Sequence, residues 1–218
     1  LTRRSARPRS KYWPDGRGLS GFQRAVDALR KALLRWHPDQ RSSRNRAPKR
    51  APRKQAGALQ DAQRAIRMVR GTSERWQIDS RKVGILGFSA GGSLSARAST
   101  RYDEVLYERI DALDDLSARP DFSVLIYPAY LDQGTNHTLT PELKIDAETP
   151  PMFLFVAADD QYANSSLVMA SALRAAKVPF ELHVLPTGGH GYGMRAGDRA
   201  GETWPQLCEA WLRLTVFQ

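Results

Sequence analysis

From Leu59 to Trp76 the chain reads LQDAQRAIRMVRGTSERW. This spaces Ala62, Ile66 and Val69 along one helical face and predicts a helix ending near Gly71. Beyond it the period changes. Four short apolar runs, 82–88 (KVGILGF), 122–127 (FSVLIY), 152–157 (MFLFVA) and 180–185 (FELHVL), read as buried strands, and SSLVMASALRAA at 165–176 reads as a helix between the last two. Strands without polar alternation, separated by helical or loop stretches, predict an α/β fold: a mostly parallel sheet flanked by helices. Upstream, Phe22, Val26, Leu29, Leu33 and Trp36 recur at helical spacing over 19–36, with Ser20 as N-cap and His37-Pro38 as the stop. Residues 1–18 carry no strand period. The stretch 37–56 is polar, Pro-containing and densely cationic, and reads as a disordered or surface linker. The expected organisation is a divergent amino-terminal segment, 1–56, and an α/β core, 57–218.

Composition changes this picture in one respect. The 218 residues are 41% hydrophobic, enough for one domain with a sizeable core, and the formal net charge is +10. That charge is unevenly held. Residues 1–55 carry 17 Lys and Arg against Asp15, Asp27 and Asp39, whereas the remainder is mildly acidic. The basicity belongs to a terminal segment, so a nucleic-acid partner rests on charge alone and is not favoured. No run of eighteen apolar residues exists to span a membrane. The amino end LTRRSARPRS lacks the apolar stretch of a secretory signal. A single cysteine, Cys208, excludes an internal disulfide framework, and the four histidines lack the Cys or carboxylate neighbours of a metal site.

The candidate chemistry lies where the apolar runs end. In KVGILGFSAGGSLSA, Gly87, Gly91 and Gly92 surround Ser89, and Gly87-Phe88-Ser89-Ala90-Gly91 fits G-x-S-x-G, a strand-to-helix turn that presents a nucleophilic hydroxyl. Asp159 and Asp160 follow the third strand and His190 follows the fourth, in LPTGGHGYG. Ser…Asp…His in that order, each just past a strand, is the arrangement that makes serine a competent nucleophile: imidazole takes the hydroxyl proton and a carboxylate fixes its tautomer. Order alone leaves both aspartates open as the acid. His37, His137 and His183 read as structural, the last because it lies inside a strand. Tyr127, Tyr130 and Tyr192 are candidate groove residues, with buried packing as the competing role for each.

These stretches, with RPDFSVLIYPAY, PPMFLFVAADDQYANSSLVMASALRAAKVPFELHVLPTGGHGYGM and AWLRL, resemble an α/β-hydrolase esterase over residues from about 57 to 216. The branch resembled includes bacterial acetylxylan esterases and small carbohydrate esterases. The resemblance implies an α/β-hydrolase sheet, a small or carbohydrate ester as substrate, and an acyl-enzyme, with no metal or organic cofactor. It implies Ser89 as nucleophile, His190 as general base and then acid, Asp160 (the second of the pair) as the orienting acid, and the Ala90 N–H as one oxyanion donor. One departure matters. Such esterases carry an H-G-G or P-G-G-G-Y loop that completes the oxyanion hole, and this chain has neither, only PDGRGLSGF in its place. The apolar strands expected before residue 57 are likewise missing or divergent, through a divergent amino end or an altered reading frame. Losing one oxyanion donor costs about 10²–10³ in rate. The sequence therefore predicts a weak esterase, with a hydrolase-like binding protein as the alternative.

Overall fold

The chain divides between Pro48 and Lys49. In the computed structural model, residues 53–217 are described. The predicted helix at 19–36, nearly all of the linker, and the PDGRGLSGF stretch lie outside them. The last linker residues do not: helix α1 runs Arg53–Gly71, four residues ahead of the expected start of the core. Arg53, Lys54, Gln55 and Ala56 are good helix formers and extend it by a turn.

A short helix α2 (Ser73–Trp76) leads to strand β1 (Gly84–Phe88), and helix α3 (Ala90–Thr100) follows β1 directly. Then come β2 (Phe122–Ile126), β3 (Met152–Ala157), α4 (Ala163–Ala175), β4 (Phe180–Leu185) and α5 (Arg199–Thr215). The described strands form one sheet in the order β1-β2-β3-β4, parallel throughout. The predicted runs are recovered within two residues at each end. Tyr127 drops off the end of β2 because its backbone turns to φ +40°.

Strand β3 shows why its sequence does not alternate: all six residues are buried, so both faces are covered. Its Met152 and Leu154 join Leu125, Ala96 of α3 and Met169 and Leu173 of α4 in one cluster. Its Phe153 and Phe155 face the other way, where Phe153 meets Trp211 of α5 and Phe155 meets Tyr192. Each such side chain contributes about 1.5–3 kcal/mol by leaving water. Helix α5 carries Pro205 in its interior, at the loss of one intrahelical hydrogen bond, and buries Trp204, Cys208, Trp211 and Leu212.

The buried line of α1 differs from the expected one. Leu59, Gln63 and Ile66 are buried, whereas Val69 is 40% exposed. Reading only apolar positions passed over Gln63, whose Nε2 donates to the Arg101 and Glu104 carbonyls. An amide whose nitrogen is hydrogen-bonded thus occupies the middle of the stripe, which runs one residue off the expected line.

Candidate active site

Because the strands are parallel, the loops after β1, β3 and β4 open at the same edge of the sheet. Ser89 is the single residue between β1 and α3, with φ 53° and ψ −118°, a conformation that costs a non-glycine residue about 1–3 kcal/mol. Its backbone is held on both sides. The N–H donates to the Ile126 carbonyl at 3.1 Å, and its own carbonyl accepts from Ser93 N at 3.1 Å and Ala129 N at 3.2 Å. Gly87 permits this fold-back: a Cβ there would lie 2.0 Å from the Gly91 carbonyl oxygen. At Gly92 a Cβ would press on Pro128 at 2.9 Å. Gly91 corrects the sequence reading, since a Cβ there meets nothing within 4 Å. Two of the three glycines are required by close approach and the third is not.

Ser89 Oγ stands 2.7 Å from His190 Nε2, and His190 Nδ1 stands 2.7 Å from Asp160 Oδ2. A carboxylate offers only acceptors, so Nδ1 carries the proton toward Asp160 and leaves Nε2 free to accept the serine hydroxyl. The Asp160 side chain is 0% exposed and that of His190 25%. The second Asp160 oxygen accepts the Tyr162 N–H at 2.8 Å. Both carboxylate oxygens are therefore engaged. His190 is reached through a loop whose neighbours Gly189 and Gly191 both have positive φ, 61° and 84°, so the backbone turns on either side of the imidazole.

The adjacent acid does something else. Asp159 Oδ1 accepts the Gly189 N–H at 2.8 Å and makes no contact with the imidazole. Of the two aspartates that strand order left open, Asp160 faces the ring and Asp159 faces the loop that carries it. The Ala90 N–H is at the first residue of α3, where no intrahelical acceptor exists, beside the Ser89 hydroxyl. The PDGRGLSGF stretch, with Gly16 and Gly18, stands where the loop for a second donor is expected and lies outside the described residues.

The three tyrosines separate. Tyr127 is buried, meets the His190 ring edge-on at 5.0 Å between centroids, and its hydroxyl accepts the Gly193 N–H at 3.1 Å. Burial raises its pKa above the ordinary phenol value. Tyr192 is buried against Tyr127 and Phe155, and burial raises its pKa further. Tyr130 alone is exposed, at 44%. Sequence reasoning missed Tyr162, whose ring lies 4.9 Å from that of His190. The signal was an aromatic two positions after the acid, in DDQY.

Away from this edge, His183 packs on Phe153 and Phe155 with Nε2 2.6 Å from Glu181 Oε1, the structural role expected for it. His137 lies in a short 3-10 turn, Thr135–His137. Cys208 is buried and its thiol is pushed up to about 12, chiefly by burial, so it is held as the protonated, unreactive form. Among the described residues, no group of three or more His, Cys, Asp or Glu is arranged to hold a metal, and no helix is long and apolar enough to cross a membrane.

A parallel sheet with its serine on a strained strand-to-helix turn, facing a histidine and an acid at the same edge, defines an α/β hydrolase. The family described as BD-FAE matches residues 46–126. The endo-1,4-beta-xylanase B of Butyrivibrio fibrisolvens is 31% identical over 166 residues, 67% of this chain and 26% of that protein. An acetylxylan esterase of Xylanibacter ruminicola is 28% identical over 178 residues, 70% of this chain and 35% of that one. Among solved structures, an acetyl ester-xyloside bifunctional hydrolase from Caldicellulosiruptor lactoaceticus superposes with a TM-score of 0.63 at 35% identity, over 72% of this chain and 65% of the other. The chain belongs to the α/β-hydrolase superfamily, among its esterase-like members. It spans about a quarter to a third of the length of the two relatives matched by sequence.

Proposed function

We propose that this chain is a carboxylic ester hydrolase that removes acetyl groups from xylan-type carbohydrate. The observation that carries the reading is the continuous relay from Ser89 Oγ through His190 to the buried Asp160, 2.7 Å at each step. Ser89 Oγ attacks the ester carbonyl carbon while His190 Nε2 takes its proton, and Asp160 stabilises the imidazolium. The Ala90 N–H donates to the oxyanion that develops. Collapse of the tetrahedral intermediate breaks the bond to the alcohol oxygen, which takes the proton from Nε2 and leaves an acetyl-serine. Water then attacks the acyl carbon, giving its proton to His190, and acetate departs as Ser89 regains its hydrogen. Support for the substrate comes from the proteins to which the chain is similar, whose names speak of a xylanase, an acetylxylan esterase and an acetyl ester-xyloside hydrolase.

Labelling of the purified full chain with a fluorophosphonate, followed by mass mapping, tests the nucleophile, and acetate release from acetylated xylan tests the substrate. The expected results are one adduct, on Ser89, and release that the adduct blocks. An adduct elsewhere, or none, overturns the mechanism. Hydrolysis of small esters without release from the polymer overturns the carbohydrate assignment.

A further inference from the structure

Two tyrosines stand beyond the histidine in a line. The His190 and Tyr162 rings lie 4.9 Å apart at 64°, and the Tyr162 and Tyr130 rings 5.1 Å apart at 65°, with their hydroxyls 3.4 Å from each other. Tyr130 is 44% exposed and holds a backbone φ of +60°, a left-handed conformation unfavourable for a bulky residue. Burial does not explain that cost, since nearly half of the residue remains in water.

The backbone beneath the pair is fixed. The Tyr130 carbonyl accepts from Thr140 Oγ1 at 3.1 Å, and Leu131 N donates to Ser165 Oγ at 3.1 Å. Ser165 Oγ and Asn164 Nδ2 both donate to Asp132, at 3.0 and 2.9 Å. These bonds tie the loop after β2 to the start of α4, directly beyond Tyr162. The Tyr162 N–H is bound to Asp160, so the wall is anchored to the acid as well.

Resting on the esterase reading above, we infer that the exposed Tyr130 ring, braced edge-to-face by Tyr162, is a stacking platform for the sugar ring whose ester is cleaved. The chemistry assigns the side. The departing alcohol oxygen must take its proton from His190 Nε2, so the alcohol leaves beside the imidazole, and the tyrosine wall begins at that imidazole. A pyranose presents a flat face of C–H bonds, which suits an aromatic face. Because the wall is already ordered, stacking does not require the pair to be immobilised on binding.

The test uses the full chain as wild type, Tyr130→Ala and Tyr130→Phe, assayed on acetylated xylotriose and on ethyl acetate, whose ethyl group offers no ring face. Tyr130→Ala is expected to lower the kcat/KM ratio of the sugar ester to ethyl acetate by about two- to tenfold, mainly through KM, and Tyr130→Phe to restore it. Equal losses on both esters, no loss, or a Phe variant as poor as Ala overturns the platform. A second arm does not need turnover. Calorimetry of xylotriose on Ser89→Ala protein, with and without Tyr130→Ala, is expected to show weakening by a similar factor, and equal affinities overturn the inference. If the wild type cleaves neither ester, the esterase reading has failed, and the calorimetric comparison still decides for or against the platform.

Discussion

Asp159 accepts the Gly189 N–H at 2.8 Å, one residue before the histidine that its neighbour Asp160 holds at 2.7 Å. Two adjacent carboxylates thus grip the same loop at different points. Asp160→Asn replaces an acceptor with an amide and favours the wrong imidazole tautomer, so kcat for p-nitrophenyl acetate is expected to fall by about 10⁴. Asp159→Asn keeps an oxygen that accepts the Gly189 N–H, and is expected to stay within about tenfold of wild type. Parallel kinetics check the pair, and the opposite ranking reassigns the acid.

Removal of either reacting group is expected to be near-total. Ser89→Ala and His190→Ala should each lower kcat by about 10⁴ or more while far-UV circular dichroism stays native, since both side chains lie at the solvent edge of the site. Retention of more than about one per cent of the rate in a folded variant contradicts the proposed relay.

The strain at Ser89 makes a separable claim about stability. Ser89→Gly and Ser89→Ala lose the same oxygen, but only glycine accepts φ 53°, ψ −118° without cost. The Gly variant is expected to exceed the Ala variant by about 1 kcal/mol in denaturant unfolding. Equal midpoints contradict the presence of strain at this turn.

Around the same turn, two glycines are predicted to behave oppositely. Gly87→Ala drives a Cβ to 2.0 Å from a backbone oxygen that cannot step aside, and is expected to cost about 3 kcal/mol or more, or to prevent folding. Gly91→Ala adds a methyl to open space inside α3 and is expected to be neutral or stabilising by up to about 1 kcal/mol. Thermal unfolding of both distinguishes a steric requirement from a motif letter.

Acid sensitivity is expected away from the site, at Asp114. Desolvation pushes its carboxyl up, but hydrogen bonds from the Tyr107 hydroxyl, the Ile110 N–H and Arg64 outweigh that, leaving it well below the usual carboxylate range. A depressed folded-state value means the stabilisation is fully present above the unfolded value of about 3.9 and is lost as pH falls below it toward the folded one. The Tm difference between wild type and Asp114→Asn should therefore be large at neutral pH and shrink below about pH 4. A difference that is constant from neutral pH to about pH 3 argues against a contribution from the ionised carboxylate.

How much of this was legible depended on range. The strands were readable because burial on both faces leaves an unbroken apolar run, as in MFLFVA, and the turn at Ser89 because it needs small residues within a few positions. Polar members of a buried stripe are not visible that way: Gln63 is buried only because the Arg101 and Glu104 carbonyls lie opposite, some forty positions away in the chain. Gly91 erred in the other direction, a glycine in the pattern with nothing pressing on it.

The sequence by itself determined which residue types follow each strand, and so which serine, acids and histidine stand at one edge of a parallel sheet. That followed from local periodicity and chain order. For the acid, chain order left two aspartates and the resemblance pointed to Asp160, which is the one facing the imidazole. Tertiary structure alone decided that Tyr127 and Tyr192 are packed inside and that Tyr162 and Tyr130 stand beyond His190. Neighbouring residues just past a strand point in different directions, and which direction meets a partner depends on loops that close across 30 positions for the acid and 101 for the serine. Those meetings are fixed by the packing of both sheet faces, a property of the whole core that no local stretch encodes.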